Sequence, residues 1–230
     1  MKFLSKKNSD PNPVTKFILM YIILALALFL PAWTIFWLQG WIYIIFMITF
    51  SITFMTYLKK KDPELLKARA KTKATECWDK KLGAIGGIFI IAMYILPGFD
   101  AVRFQWSHVS IIINFIGFIG MGLSLILFFL VIRENTYLSR VVEIQEERGH
   151  RVITTGPYKI VRHPMYFAVI VLYICHCLAL GSLYALIPCT GVIITIVIRT
   201  SYEDKMLHEQ LEGYKEYAQK TRYKLLPGIW

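Results

Sequence analysis

The chain has 230 residues, of which 56% are hydrophobic, and it carries a formal net charge of +11 with a mean hydropathy of +0.51. Soluble domains of this size are less apolar, so the composition excludes an ordinary soluble domain and favours a protein with several membrane spans. The positive charge alone would suit a nucleic-acid partner, but its distribution along the chain points to a membrane surface instead.

Six apolar segments approach or exceed the length needed to cross the hydrocarbon core of a bilayer. We therefore predict an all-α integral membrane protein with about six transmembrane helices. The third, fifth and sixth segments are the shortest and lie near the lower limit for a span. The predicted spans are Phe17 to Leu38, Trp41 to Leu58, Leu82 to Pro97, Val109 to Ile132, Met165 to Leu180, and Leu183 to Ile198.

The basic residues are segregated by loop. Four of the 26 Lys and Arg residues precede the first span, nine lie in 59–81, six in 133–162 and six from Arg199 onward. The remaining one, Arg103, falls on the opposite side of a six-span arrangement. Since cytoplasmic loops carry the excess of Lys and Arg, this pattern predicts that both termini and the two long loops are cytoplasmic.

Residues 1–132 are predicted to form a four-span membrane region with few polar residues inside the spans. Their basic loop, 59–81, is expected to be partly helical along the membrane surface, although a simple solvated loop fits the sequence equally well. Pro97, Gly98 and Asp100 are typical of a turn on the far side of the membrane.

Residues 133–230 are chemically richer, and a helical hairpin organises them. The last two spans are joined by a turn at Gly181 and Ser182, so they should run antiparallel. Arg162 and His163 precede this hairpin and Arg199 follows it at a similar distance, so these three residues should meet at the cytoplasmic membrane surface.

Pro164 suits the first turn of a helix, and the start of that helix should expose N–H groups near Met165 and Tyr166. Each polar residue also has an ordinary explanation when it is considered alone. Arg162 can anchor a span at the interface, His163 can cap a helix, and Glu203 can lie on a solvated helix face. Their concentration around one hairpin favours a functional site.

The motif "GPYKIVRHPMY" is followed, after the hairpin, by Arg199-x3-Glu203-Asp204-x2-Leu207 and then by "GYKEYAQKTRYKLLPGIW". This pattern resembles the isoprenylcysteine carboxyl methyltransferase family, which is related to the phospholipid methyltransferases. The resemblance covers about Gln145 to Trp230, and Asp204 stands where that family usually has a second glutamate. It implies a membrane enzyme whose cofactor is S-adenosyl-L-methionine, with a C-terminal methyltransferase core at 133–230.

The resemblance also implies roles for particular residues. The family places Arg199 at the substrate, and we take it as the candidate catalytic residue. No metal is expected, since the chain has no zinc motif. The residues expected to bind the cofactor are Gln145, His150, Arg151, Val152, Ile153, Tyr158, His163, Pro164, Met165, Tyr166 and Glu203.

The predicted function is methyl transfer to a lipid-like acceptor at the membrane. A prenylcysteine-type carboxylate would suit Arg199, whose guanidinium can bind it with two hydrogen bonds. A phospholipid amine or a thiol remains open as the acceptor. The alternatives from other classes are a sterol-type membrane reductase and a non-enzymatic transporter or sensor. The expected partners are the lipid bilayer and the lipid-like acceptor rather than nucleic acid, and the oligomeric state stays open.

Overall fold

The computed structural model describes residues 12–70, 76–139 and 141–230. Within these ranges the protein is all-helical, which confirms the predicted fold class. The α-helices are α1 (Pro13–Ala32), α2 (Leu38–Lys61), α3 (Pro63–Ala70), α4 (Cys77–Pro97), α5 (Ile111–Glu134), α6 (Pro164–Ala179), α7 (Leu186–Gln210) and α8 (Tyr214–Lys220).

Five of the described helices are long and apolar enough to cross a membrane: α1, α2, α4 with its extension to Arg103, α5 and α7. The helix α6 is apolar but has only 16 residues. It nevertheless runs the length of α5 in the opposite direction. Asn114, near the start of α5, donates to the Leu178 carbonyl at 2.9 Å, and Asn135, just after α5, donates to the Tyr158 hydroxyl at 2.8 Å. With the five longer helices, α6 therefore makes a sixth pass between the two ends of the bundle in the part of the chain that the structure describes.

The helices α5 and α6 pack closely because small residues lie between them. A Cβ atom at Gly117 would come within 2.4 Å of the Ala179 backbone nitrogen, so any larger residue would push the helices apart. Ser124 of α5 also donates a hydrogen bond to the Ala168 carbonyl of α6. Small residues and interhelical hydrogen bonds replace the hydrophobic effect as the source of association between membrane helices.

Three of the six predicted spans had wrong boundaries. The first span ends at Ala32 rather than Leu38, because Trp33 adopts a left-handed backbone conformation (φ 57°) that ends α1. The third helix starts at Cys77, five residues early, and beyond Pro97 it continues as a π-helix to Arg103, where we predicted a turn. The sixth span and the polar segment after Ile198 form one continuous helix, α7, as far as Gln210.

The end of the bundle that holds the turn between α6 and α7 is fixed by a buried carboxylate. Asp100 accepts hydrogen bonds from the Ser107 hydroxyl at 2.8 Å, the Ser182 hydroxyl at 2.6 Å and the Tyr184 backbone N–H at 3.2 Å. These bonds attach the start of α7 to the end of α4. The direction of α7, and so the position of its polar half, depends on this attachment.

The opposite end carries the basic loops and the polar residues. The loop 59–81 is helical at Pro63–Ala70, as predicted in part, while residues 71–75 of that loop lie outside the described residues. The C-terminal tail folds back here. The backbone N–H groups of Arg162 and His163 donate to the carbonyls of Tyr223 and Lys224, both at 2.9 Å. The tail thereby closes over the start of α6.

Candidate active site

A cavity opens at the basic end of the bundle, and we call it the polar chamber. Its walls come from the 135–153 segment, the start of α6, the polar half of α7 and α8, and it encloses about 770 Å³ counted to its open mouth. The chamber is lined by Asn135, Tyr137, Leu138, Ser139, Val141, Val142, Glu143, His150, Arg151, Val152, Ile153, Tyr158, Arg162, His163, Met165, Tyr166, Arg199, Glu203, Met206, Leu207, Leu211, Tyr214 and Tyr217.

Asp204, on α7, holds the back of the chamber together. Its buried carboxylate accepts from Arg162 Nε at 2.8 Å and Nη2 at 3.0 Å, and from the Tyr214 hydroxyl at 2.9 Å. His163 Nε2 lies 3.1 Å from the same carboxylate. Arg162 also donates to the carbonyls of Thr221 and Arg222 in the C-terminal tail. One carboxylate therefore joins α6, α7, α8 and the tail, a role that the sequence did not reveal.

Glu203, which directly precedes Asp204 on α7, faces the chamber. Its carboxylate accepts a hydrogen bond from the Tyr166 hydroxyl, and its Oε1 lies 4.0 Å from His163 Nδ1. Tyr166 and His163 are buried, whereas 19% of the Glu203 side chain is exposed. Glu203 is thus a fixed carboxylate with part of its surface left for a bound molecule.

Arg199 has a partner that the sequence analysis did not foresee. Asp79, in the first turn of α4, accepts a hydrogen bond from Arg199 Nη2 at 3.2 Å, and its Oδ1 lies 2.9 Å from Arg199 Nε as part of the ion pair. Glu203, four residues further along α7, accepts from Tyr166. The Arg199 guanidinium lies over the Tyr166 ring, 5.9 Å from its centroid. A residue from the N-terminal half of the chain therefore holds Arg199, which lines the chamber.

Two stacked rings form the wall near the chamber mouth. The rings of Tyr137 and His150 are 4.6 Å apart at an interplanar angle of 26°. Burial, and secondarily the charge of Arg148, lowers the pKa of His150, so this imidazole is neutral at neutral pH. Gln145 lies behind this wall, where its amide donates to the Tyr137 carbonyl at 2.6 Å.

Three phenols line the other side. Burial raises the pKa of Tyr158 and Tyr214 far above the usual range, and it raises the pKa of Tyr217 to about 12. Each of these groups therefore keeps its proton and acts as a neutral hydrogen-bonding group with an apolar ring. The Tyr217 hydroxyl donates to the Tyr158 carbonyl at 2.7 Å, which ties α8 to the segment before α6.

The fold brings together most of the residues predicted to bind the cofactor. His150, Arg151, Val152, Ile153, Tyr158, His163, Met165, Tyr166 and Glu203 line the chamber, as does Arg199. Gln145 and Pro164 do not line it. The Tyr166 N–H, which we expected to be exposed at the helix start, donates to the His163 carbonyl at 3.1 Å. The residues that the sequence analysis missed are mainly Tyr137, Leu207, Leu211, Tyr214 and Tyr217.

A second cavity, the apolar groove, adjoins the chamber between α4, α5, α6 and α7. It encloses about 1390 Å³ counted to its mouth and shares four wall residues with the chamber: Ser139, Met165, Tyr166 and Arg199. Its floor includes Gly83 and Gly87 of α4, where an added Cβ would meet no atom within 4 Å. The arrangement joins a polar site to an apolar channel, with Arg199 and Tyr166 between them.

The family model for phospholipid methyltransferases matches residues 112–213 of this chain. The match extends from α5 through the chamber loop and α6 to the end of α7, so it covers most of the chamber wall. The matched family is related to the isoprenylcysteine carboxyl methyltransferases, in agreement with the resemblance seen in the sequence. Together with the apolar helices, it supports an integral multi-pass membrane methyltransferase that acts on a lipid-like substrate. The comparison with curated proteins gave no match.

Proposed function

We propose that this protein is an S-adenosyl-L-methionine-dependent methyltransferase that modifies the head group of a membrane lipid. The observation that carries the proposal is the junction of the two cavities, where Arg199 and Tyr166 line both the polar chamber and the apolar groove. A water-soluble cofactor on one side and a lipid on the other would bring their reacting groups together there.

The chamber residues fit this cofactor chemically. Tyr158 and Tyr166 offer aromatic faces, which attract a sulfonium cation. Glu203 offers a partly exposed carboxylate for the cofactor's ammonium or ribose hydroxyl groups. Val152, Leu207 and other apolar side chains supply a surface against which adenine can pack. When bound, the cofactor would supply an electrophilic methyl group: the acceptor's lone pair would form a bond to the methyl carbon while the C–S electron pair leaves with the sulfur.

The chain itself would align the reactants and exclude water. An in-line displacement needs alignment more than it needs acid–base chemistry. The Asp204 network would hold His163 and Tyr214 in place, and Tyr166 would keep the Glu203 carboxylate fixed. Burial of the site among α6, α7 and α8 would limit access of water to the sulfonium.

An amine is the acceptor that the charges favour. A carboxylate acceptor, our prediction from the sequence, would have to compete with Asp79 for the Arg199 guanidinium. An amine meets no such competitor, and the match to the phospholipid methyltransferases also supports it. The amine would bind as the ammonium and lose one proton to water before its lone pair attacks, so that the methylated product is again an ammonium.

Calorimetry with purified protein would test the cofactor. We expect S-adenosylhomocysteine to bind and a nicotinamide nucleotide not to bind, which separates this proposal from a sterol-type reductase. Radiolabelled S-adenosylmethionine with phosphatidylethanolamine in nanodiscs should then give labelled lipid. Failure to bind S-adenosylhomocysteine in folded protein would reject the proposal.

The charge distribution supports a cytoplasmic position for both termini and for the chamber. Single cysteines at Lys60 and at Gln105, in a variant whose native cysteines are replaced, should react with a membrane-impermeant maleimide from opposite sides of sealed vesicles. Labelling of both from the same side would contradict this topology.

A further inference from the structure

Asp79 is an unusual residue for its position. It lies in the first turn of the apolar helix α4, its side chain is 4% exposed, and it is separated by 120 residues from its partner Arg199. A buried carboxylate beside a membrane span is costly unless strong partners compensate for the lost hydration. Asp79 has such partners: Arg199 contacts both of its oxygens, and the Val142 N–H lies 3.3 Å from Oδ2.

The pair fixes Arg199 at the junction of the two cavities. Asp79 binds the Nε–Nη2 edge of the guanidinium, so the guanidinium plane is held by two contacts rather than by one. The same guanidinium lies over the Tyr166 ring. Asp79 does not line either cavity, so it would act on a bound molecule through Arg199.

The pair also sets the charge of the junction. Arg199 contributes one positive charge, and Asp79 and Glu203 contribute one negative charge each, so this cluster of three carries a net charge of −1. Without Asp79 the same cluster would be neutral, and it would repel an anionic head group less. In a low-dielectric site a change of one charge has a large effect on which ligand binds.

We propose that Asp79 is a specificity-determining positioning residue, which acts through Arg199 to make the junction select amine head groups over carboxylates. This inference rests on the proposed function, because it assigns the head group of the acceptor. It assigns Asp79 no contact with the substrate. A purely structural role, in which Asp79 only ties α4 to α7, would affect all ligands alike.

The test measures the binding of two matched amphiphiles, hexadecylamine and hexadecanoic acid, to protein in detergent micelles by tryptophan fluorescence. The ratio of the two dissociation constants is compared between wild type and Asp79→Asn, so partition into micelles cancels. We expect wild type to favour the amine and Asp79→Asn to shift the ratio at least tenfold toward the carboxylate. The affinity for S-adenosylhomocysteine should change less than threefold.

A double variant tests whether Asp79 acts through Arg199. If it does, Asp79→Asn should change the ratio little in an Arg199→Gln background, because the two residues belong to one interaction. Asp79→Glu keeps the charge, so it should keep the wild-type ratio. This variant tests the inference even if Asp79→Asn does not fold. An unchanged ratio in Asp79→Asn, or a lost preference in Asp79→Glu, would overturn the inference.

These outcomes are distinct from a failure of the proposed function. If wild type does not bind S-adenosylhomocysteine, the methyltransferase proposal fails, whereas the amphiphile ratio still reports on Asp79. If the cofactor binds and labelled methyl groups reach lipid, but the ratio does not move with Asp79, only the specificity inference fails.

Discussion

Removal of the Asp204 carboxylate should be among the most destabilising single changes in this protein. The side chains of Arg162 and Asp204 are 7% and 6% exposed, and two N–O contacts of 2.8 and 3.0 Å join them. Asp204→Ala would leave the Arg162 guanidinium buried without its carboxylate. Breaking a buried ion pair by removing one partner costs about 3–5 kcal/mol. For a chain of this size that corresponds to a fall in the midpoint of thermal unfolding of roughly 6–20 °C.

The same helix provides a matched control. Glu209 forms an ion pair with Lys205 at 3.8 Å, and the two side chains are 60% and 74% exposed. Exposed pairs of this kind contribute about 0–1 kcal/mol, so Glu209→Ala should lower the midpoint by no more than a few degrees. Both variants would be followed by intrinsic fluorescence during heating in the same detergent. Equal midpoints for the two variants would refute the view that Asp204 organises the site.

Three further outcomes follow from the site. Glu203→Gln should weaken S-adenosylhomocysteine binding at least tenfold in calorimetry, whereas Glu216→Gln, at an exposed position of α8, should not. Equal affinities would remove Glu203 from the proposed cofactor site. Gly87→Leu should raise the KM for lipid without changing cofactor affinity, because it fills the apolar groove, and Gly122→Leu on another face of the bundle is the control. Since burial lowers the pKa of His150, unfolded chains bind a proton before folded ones as pH falls below about 6.5. The free energy of unfolding should therefore decrease as the pH is lowered below about 6.5. His150→Gln should make this decrease smaller.

Much of the fold could be predicted from the sequence because membrane spans are a local property. A run of apolar residues long enough to cross the bilayer must be helical, since unsatisfied backbone groups are too costly in lipid. This rule located all six passes, including the short α6, although it misplaced the ends of α1, α4 and α7. Those ends depend on a left-handed residue at Trp33 and on contacts of α4 and α7 with other helices, which hydropathy does not encode.

Most of the chamber-lining residues could also be anticipated, because they lie in motifs around a single hairpin. Antiparallel helices bring together residues that lie at similar distances from their shared turn, so His163, Tyr166, Arg199 and Glu203 were expected to be neighbours. The motif did not indicate which carboxylate each cation would bind. Glu203 and Asp204 are adjacent in sequence but point in different directions around α7, and one faces the chamber while the other is buried behind it.

The pairing of Arg199 with Asp79 was decided by the tertiary structure alone. Nothing in the sequence near Asp79 distinguishes it from the other charged residues of a basic loop. It reaches Arg199 only because α4 packs against α7 and its first turn lies at the level of the polar chamber. The sequence determined that a charged site would form at this end of the bundle. The net charge where the polar chamber meets the apolar groove, and the orientation of Arg199 there, were decided by helix packing. An ion pair depends on distances of a few ångströms between segments that are far apart in the chain.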